Sequence, residues 1–257
     1  MILENERFDL IQKNGYGIIQ NKKWFAYGID AVLLSYFTKV KKNDVVVDLG
    51  TGTAIIPLLL HLNTEAKKIF AVEKQKAVCE MAQRSLDYND IKNIELINCD
   101  VNDLKHHIKN SSVNVVVSNP PYFRKGNAIV NSENIKAIAK HETSAGLEDF
   151  IKTASDLLVE KGCFYMVHRP MRLVDIIFFC RKYNLEPKRI RFVYPNKSKE
   201  PNIMLIKCIK NGQVELKYEP NLYVYDENQN YCAEIYEIYE AMQIDVFKIA
   251  EDKLRQR

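Results

Sequence analysis

Hydrophobic positions along the chain follow two alternating patterns. Short runs rich in Val, Ile and Phe are typical of strands, and they occur at 45–50, 68–74, 94–100, 113–121, 162–169, 189–195 and 202–210. Segments with helical periodicity separate most of these runs. This alternation predicts an α/β fold in which a mostly parallel, seven-stranded sheet carries helices on both faces. The last two runs are too close for a crossover helix, so we expect an antiparallel last strand.

The two ends of the chain carry patterns of their own. The stretch FDLIQKNGYGIIQ alternates like two strands around Asn14-Gly15, so it predicts a hairpin. A helix should follow, with an apolar stripe formed by Ile29, Val32, Leu33 and Tyr36. Residues 232–257 are acidic and have helical periodicity. We therefore interpret 1–28 as an N-terminal hairpin extension, 29–215 as the main domain and 216–257 as an acidic helical C-terminal extension.

The composition is that of a folded intracellular protein. With 257 residues, of which 47% are hydrophobic, the chain can bury a substantial core. The six cysteines form no CxxC pair and no cluster with histidine, so we expect reduced thiols and no metal site. No signal-peptide core stands at the N-terminus, and no apolar run could span a bilayer. We expect a cytoplasmic protein without a membrane partner. A monomer is expected, although the sequence leaves the oligomeric state open.

Charge is distributed unevenly along the chain. The formal net charge is +4, but residues 161–210 hold 12 Lys and Arg against 3 Asp and Glu. Residues 211–257 hold 5 against 10. So basic a block favours a polyanionic partner such as a nucleic acid. A solvated, lysine-rich surface is the alternative.

A glycine-rich turn follows the first predicted strand of the main domain. In VVVDLGTGTAII, Asp48 ends the strand, while Gly50 and Gly52 permit a tight turn and close approach to a ligand. Ile55 stands where a dinucleotide fingerprint would place a third glycine, which disfavours NAD. Glu73 ends the next strand, where a carboxylate can accept both hydroxyls of a ribose. The pattern predicts a nucleotide-like ligand.

Two further aspartates have both a functional and a structural interpretation. Asp100 ends the third strand, where it could bond an adenine amino group or cap a turn. Asp30 lies close to Gly28 at the start of a predicted helix, so it could belong to a site or cap the helix. The sequence leaves both alternatives open.

The fourth strand runs directly into Asn-Pro-Pro-Tyr, residues 119–122. Two adjacent prolines cannot donate to a sheet ladder and they fix φ, so the strand must stop at Ser118. The tetrapeptide is therefore held stiffly beyond the strand. Stiffness at the carboxyl end of a strand is typical of a site, and a loop that contains Pro-Pro by chance is the alternative.

DLGTGT, FAVEK, NCD and NPPY stand in this order at successive strand ends, and in this the chain resembles class I S-adenosylmethionine-dependent methyltransferases that methylate amino groups. Three flanking stretches, WFAYGIDAVLLSYF, HETSAGLEDF and PKRIRFVYP, resemble the bacterial tRNA1(Val) adenine-N(6)-methyltransferase family more narrowly. The resemblance implies a Rossmann-like class I methyltransferase fold for 29–215, S-adenosylmethionine as cofactor and tRNA as partner. The substrate it implies is an anticodon-loop adenosine. The residues from Met242 onward have no counterpart in the family.

The resemblance also implies a set of cofactor-binding residues. Asp48, Gly50 and Gly52 would line the methionine end of the cofactor. Glu73 would hold its ribose, and Asp100 would lie beside its adenine. Four more residues complete the set: Tyr27, Gly28, Asp30 and Asn119.

The tetrapeptide Asn119, Pro120, Pro121 and Tyr122 would be catalytic. The lone pair of an exocyclic amine is delocalised into its ring, and acceptors for the amino protons help to turn that lone pair toward the methyl donor. The side-chain carbonyl of Asn119 and the backbone carbonyl of Pro120 can be these acceptors. Tyr122 offers a face on which an unstacked base can lie. No general base is required.

Phosphate contacts are expected from a set of basic residues: Arg124, Lys125, Lys136, Lys140, Arg169, Arg172, Lys188, Arg189, Arg191, Lys197 and Lys199. For each of them, a free surface cation is the alternative. His141 and Glu142 could form a structural or a catalytic pair. Trp24 and Phe25 could stack a base, but we favour packing in the core or over the cofactor.

Two other functions stay open. A protein-glutamine methyltransferase acting on release factors would use the NPPY motif in the same way. Such enzymes carry a helical domain before the glycine turn, and here a hairpin and one helix precede it. A non-catalytic module that binds cofactor and RNA is the second alternative. The intact Asn119, Pro120 and Tyr122 argue against that module.

Overall fold

The computed structural model describes residues 2–11, 15–21, 24, 27–122 and 145–244. The chain opens with the predicted hairpin, in which β1 (Glu6–Leu10) pairs antiparallel with β2 (Gly17–Asn21). Asn14, the first residue of the predicted turn, lies outside the described residues. The prediction of a hairpin is confirmed.

A central sheet forms the body of the molecule. Its seven longer strands are β3 (Val45–Leu49), β4 (Lys68–Val72), β5 (Ile94–Ile97), β6 (Val113–Ser118), β7 (Leu158–His168), β8 (Leu185–Tyr194) and β9 (Ile203–Lys210). They lie in the order β5-β4-β3-β6-β7-β9-β8. The β3–β7 part is parallel throughout, and β9 runs antiparallel to both β7 and β8. The predicted α/β sheet with an antiparallel last strand is confirmed.

The prediction of seven strands is too low. Two further strands, β10 (Lys217–Tyr218) and β11 (Leu222–Tyr223), pair parallel with β8, so the described part of the chain forms a nine-stranded sheet. Each of them has two residues, which is too short for an alternation of apolar and polar positions to be visible in the sequence.

Helices cover both faces of the sheet, as predicted. Their bounds are α1 (Ile29–Phe37), α2 (Ile55–Asn63), α3 (Lys76–Tyr88), α4 (Leu147–Leu157), α5 (Leu173–Lys182) and α6 (Ala233–Ala241). The helices α1, α2, α3 and α6 contribute to one hydrophobic core, and α4 and α5 contribute to the other. No described helix combines the length and the apolar character needed to cross a membrane.

Helix α1 is buried more completely than a one-sided stripe predicts. Residues 31–35 and Phe37 are all buried, because the sheet, α2 and α6 surround the helix. Tyr36 was expected on the apolar stripe, but 36% of its surface is exposed. A helix that is apolar nearly all round belongs in an interior, and α1 has that character.

Ion pairs tie the C-terminal segment to the sheet. Arg191 of β8 is 9% exposed, and its Nη2 donates to Glu234 of α6 at 2.5 Å. Its Nε donates to the backbone carbonyl of Pro220 at 2.9 Å. Arg189, on the same strand, pairs with Glu219. These contacts hold residues 217–241 against β8, and Ile235 and Tyr239 of α6 pack into the core.

The C-terminal segment is less helical than its periodicity predicts. Among its described residues, 216–244, only Ala233–Ala241 form a helix. The sheet contacts explain this, because they hold β10 and β11 in extended conformation. The division of the chain at residues 28 and 215 stays a prediction.

We expect Arg191→Met to lower the free energy of unfolding by about 1–3 kcal/mol, because it removes two hydrogen bonds from a buried guanidinium. Urea denaturation monitored by circular dichroism measures the change. The control is Lys42→Met, whose ion pair with Glu65 has both side chains at least 67% exposed. That variant should change stability by about 0–1 kcal/mol. Equal effects of the two substitutions would show that the buried pair does not anchor the C-terminal segment.

Candidate active site

The predicted site residues follow neighbouring parallel strands. Leu49 of β3 is in register with Val72 of β4 and with Ser118 of β6. The glycine turn, Glu73 and Asn119 therefore leave the sheet at one edge, since the carboxyl ends of parallel strands coincide. In open α/β sheets, ligands bind at this edge.

The glycine turn has the backbone that its sequence predicts. Gly50 has φ +75° and Gly52 has φ +56°, a region that favours glycine. The N–H groups of Gly50 and Thr51 both donate to the carbonyl of Val72, at 3.0 and 2.9 Å. A Cβ on Gly50 would lie 3.2 Å from the Phe150 ring, whereas a Cβ on Gly52 would meet nothing within 4 Å. Gly50 is thus favoured by its positive φ and by the nearby Phe150 ring, and the space beside Gly52 is open to a ligand.

Glu73 connects the end of β4 to the glycine turn. Its carboxylate is buried, and one oxygen accepts from the N–H of Gly52 at 3.0 Å. The other accepts from the N–H of Gln75 at 2.8 Å. A carboxylate has about four acceptor positions, so two stay available for a ligand. The arrangement fixes the carboxylate in place and leaves it able to accept the hydroxyls of a ribose.

Asp48 is the most isolated charged group of the site. It is fully buried, and neither carboxylate oxygen has a hydrogen-bond partner among the described residues. Burial raises the pKa of Asp48 to about 7; the nearby Thr51 hydroxyl, whose geometry falls short of a hydrogen bond, opposes the increase, and the negative charge of Glu73 adds to it. An unpaired buried carboxylate is costly, so this group suits a cationic ligand. The hydroxyl of Thr51 is also buried without a partner in the described structure.

The Asn-Pro-Pro-Tyr segment is connected to helix α1. The hydroxyl of Tyr122 lies 2.6 Å from Oδ2 of Asp30 and 2.8 Å from Oδ1 of Asn119. Asp30 therefore does not cap its helix, because Gly28 is the N-cap and Asp30 faces the tetrapeptide. Burial and the nearby Asp30 charge raise the pKa of Tyr122 well above its usual value. The tyrosine is protonated at any physiological pH.

The ring of Tyr122 already has a cation against it. The Arg169 guanidinium lies 4.8 Å from the ring centroid, and its Nη1 donates to the carbonyl of Asn202 at 2.8 Å. A phenol ring has two faces, so a stacked base is compatible with one of them only. Arg169 was predicted to contact phosphate, and in the structure it supports Tyr122.

His168 was not predicted from the sequence. It ends β7 at the same edge, 1% of its surface is exposed, and its ring contacts Tyr122 edge-on at 5.1 Å. Its Nδ1 accepts from the N–H of Arg169 at 2.8 Å, and Nε2 has no partner in the described structure. Burial lowers the pKa of His168 to about 4. The neutral ring therefore carries its proton on Nε2 and is a donor rather than a base. A histidine at the end of a hydrophobic strand was the available sequence signal.

The remaining cofactor candidates lie at the margins of this arrangement. Asp100 caps a 3₁₀ helix (Val101–His106) by accepting from the N–H of Asn102 at 3.0 Å, and it pairs with Lys74 at 2.9 Å. Burial raises the pKa of Asp100, but these two partners outweigh it and leave the pKa below its usual value. The N–H of Tyr27 donates to Gln20 of the hairpin at 2.8 Å. The hairpin thus fixes the segment that leads into α1.

Two of the predicted phosphate contacts are engaged in structural pairs. Arg189 and Arg191 bond the C-terminal segment, which withdraws them from an RNA surface. They line a cavity of about 200 Å³ with Phe37 and Ile238, and this cavity includes none of the strand-end residues. Their partners lie at least 29 residues further along the chain, so no local sequence pattern predicts these pairs.

Other basic residues differ in their surroundings. Arg172 pairs with Asp175 at 2.6 Å, and Lys188 donates to the carbonyl of Gln213 at 3.0 Å. Lys197 and Lys199 are exposed, and neither forms an ion pair with the described residues. These two are the most accessible members of the basic set.

Several predicted residues lie outside the described residues: Phe25, Arg124, Lys125, Lys136, Lys140, His141 and Glu142. Trp24 is described, and 46% of its surface is exposed. That exposure contradicts the interpretation of Trp24 as a core residue, and its packing over the cofactor stays a prediction.

We expect Asp48 to make the ligand-free protein less stable as the pH rises. Its pKa is about 7 in the folded protein and about 3.9 in an unfolded chain, so the folded state favours the protonated form. Stability should therefore decline between about pH 4 and 7 and level off above, by up to about 4 kcal/mol. Asp48→Asn should remove this decline in urea denaturation at pH 5 and pH 8. Substitution of the exposed Asp103 by Asn is the control, and an Asp48→Asn profile that matches it would contradict the raised pKa.

Comparison with known proteins agrees with this architecture. A family model described as "Methyltransferase small domain" matches residues 27–173. A protein of Haemophilus influenzae named tRNA1(Val) (adenine(37)-N6)-methyltransferase is 26% identical over 232 residues, covering 87% of this chain and 93% of the relative. A protein of the same name from Pedobacter heparinus is 25% identical, covering 76% and 81%.

Solved structures share the fold. The crystal structure of Atu636 from Agrobacterium tumefaciens, described as a predicted O-methyltransferase, has a TM-score of 0.68 at 21% identity and covers 84% of this chain and 98% of its own. The M. jannaschii protein TYW2, solved with AdoMet, has a TM-score of 0.54 at 13% identity, covering 81% and 87%. The expected Rossmann-like methyltransferase fold is thereby confirmed. Because the family model spans more than half of the chain, we conclude that this protein belongs to the methyltransferase small domain family.

Proposed function

We propose that the protein uses S-adenosylmethionine to methylate the 6-amino group of an adenosine in the anticodon loop of a tRNA. One observation carries the proposal: Asn119–Tyr122 leave the sheet directly beside the glycine turn, which has Glu73 on its other side. This is the juxtaposition that a methyl donor and a planar amine require. The names of the relatives from Haemophilus influenzae and Pedobacter heparinus support tRNA adenine as the substrate.

The cofactor proposal rests on the unmet bonding capacity of the strand-end residues. The buried Asp48 carboxylate lacks a partner in the described structure, and S-adenosylmethionine carries an ammonium and a sulfonium charge. The open space beside Gly52 admits a ligand next to the backbone. Glu73 has acceptor positions left for the ribose hydroxyls. When bound, the cofactor supplies the methyl group from its positively charged sulfur.

The tetrapeptide would position the amine. The carbonyl of Asn119 and the backbone carbonyl of Pro120 accept the two amino protons, which turns the nitrogen lone pair toward the methyl group. Pro120 and Pro121 hold the backbone of this segment, and with it the Pro120 carbonyl, in place before the substrate arrives. The proton is lost to solvent after transfer. His168 carries its proton on Nε2 and is therefore suited to orient the base rather than to deprotonate it.

The RNA would approach along the basic face next to this edge. Lys197 and Lys199, in the loop between β8 and β9, are exposed and form no ion pair with the described residues. Such residues contact phosphates, which position an RNA without specifying its sequence. The flipped adenine would lie on the face of Tyr122 that Arg169 leaves free.

The test of this function is methyl transfer from labelled S-adenosylmethionine to undermodified total tRNA and, separately, to a release factor. Mass spectrometry of the digested products identifies the methylated unit. N(6)-methyladenosine in the tRNA is the expected result. Methylglutamine in the release factor would replace the proposed substrate while leaving the cofactor proposal intact.

In the same assay, Asn119→Ala should lower turnover by about 100-fold or more, because the amine loses an acceptor that acts in the transition state. Calorimetry should show a much smaller change in S-adenosylmethionine affinity. The control is Asn110→Ala, an exposed asparagine outside the site. Turnover of Asn119→Ala equal to that of the control would contradict the acceptor role.

A further inference from the structure

The Tyr122 hydroxyl lies between two oxygen atoms that can both accept its hydrogen bond. Oδ2 of Asp30 is 2.6 Å away, and Oδ1 of Asn119 is 2.8 Å away. A phenol has a single proton, so it can donate to only one of these acceptors at a time. The choice of acceptor determines which part of the Asn119 amide faces the tyrosine.

The carboxylate is the stronger acceptor. Hydrogen bonds to an ionised oxygen are shorter and roughly twice as strong as those between neutral groups. The shorter of the two distances is indeed the one to Asp30. When Asp30 holds the proton, the tyrosine oxygen presents only lone pairs to Asn119.

A lone pair on the Tyr122 oxygen can accept a hydrogen bond from an N–H group, but it cannot bond a carbonyl oxygen, which is itself an acceptor. The amide of Asn119 can rotate by half a turn about its Cβ–Cγ bond, which exchanges its oxygen and its nitrogen. The amino group then donates to the tyrosine oxygen, and the carbonyl oxygen turns away from Tyr122. The carbonyl is in this way freed to accept a proton from a substrate amine.

The surroundings hold Asp30 and Tyr122 rigidly. Asp30 belongs to the first turn of α1, and the five residues that follow it are buried. The ring of Tyr122 is bounded by Arg169 at 4.8 Å and by His168 at 5.1 Å. A bond between two fixed groups can set the orientation of a third, the mobile amide of Asn119.

We propose that Asp30 is a positioning residue that acts through the Tyr122 hydroxyl to orient the Asn119 amide toward the substrate amine. The inference rests on the proposed function, and it gives Asp30 a role in catalysis rather than in cofactor binding. Without the carboxylate, the tyrosine donates to Asn119 and holds the carbonyl oxygen of that amide toward Tyr122. Without the hydroxyl, Asp30 has no connection to Asn119.

The test compares four proteins: the wild type, Asp30→Asn, Tyr122→Phe and the double variant. We expect each single variant to lower kcat by about 10-fold or more, with changes of less than about threefold in S-adenosylmethionine affinity. The double variant should be no slower than Tyr122→Phe alone, because both changes break the same connection. Asp30→Glu should recover part of the lost rate. Asp103→Asn is the control for a change of surface charge.

Two results would overturn the inference. Effects of the single variants that multiply in the double variant would show that Asp30 acts independently of Tyr122. A loss of S-adenosylmethionine affinity in Asp30→Asn as large as its loss of kcat would make Asp30 a cofactor ligand. Thermal unfolding identifies a variant that does not fold. If Asp30→Asn is such a variant, Asp30→Ser in wild-type and Tyr122→Phe backgrounds gives the same comparison.

Failure of the proposed function gives a different result. If the wild type methylates a release-factor glutamine instead of tRNA, the substrate proposal is wrong. The four proteins are then compared on that amide, which needs the same acceptor from Asn119. If the wild type methylates neither substrate, the proposed function and the inference are both overturned.

Discussion

The carboxylate of Asp48 is buried without a hydrogen-bond partner in the described structure. It lies at the end of β3, at the edge of the sheet where the other candidate site residues follow their strands. Burial of an unpaired charge is unfavourable, and the consequence is a pKa near 7. The turn that follows leaves open space beside Gly52, and Glu73 fixes that turn through the Gly52 N–H. The unpaired carboxylate lowers the stability of the ligand-free protein, and a bound cationic ligand can restore that stability. Such an arrangement is common in functional sites.

Two rigid supports meet at this edge. The parallel strands bring the glycine turn and the Asn-Pro-Pro-Tyr segment side by side, and the prolines stiffen that segment. Helix α1 approaches from the N-terminal side, and its Asp30 bonds Tyr122. In the proposed function, the sites for the methyl donor and for its acceptor are thereby built from different parts of the chain and joined through one hydroxyl. Such preorganisation lowers the barrier to the proposed methyl transfer.

Sequence analysis identified the features whose signals are local. The strand periodicity, the Gly50 and Gly52 turn and the paired prolines all act within a few residues, and the structure has them in the predicted elements. Contacts between distant residues were not predictable in this way. Asp30 and Tyr122 are 92 residues apart. The partners of Arg191 are also distant in sequence: Pro220 lies between two strands too short to recognise, and Glu234 lies in α6. His168 was missed because one histidine carries no pattern.

Cofactor binding and ionisation of Asp48 should be linked. Calorimetric titration with S-adenosylmethionine at pH 6.5, in two buffers of different ionisation enthalpy, measures the protons released on binding. Because the pKa of Asp48 is about 7 before binding, the wild type should release a substantial fraction of a proton. Asp48→Asn should release none from this position. Equal proton release by the two proteins would contradict the claim that Asp48 loses its proton when the cationic methyl donor binds.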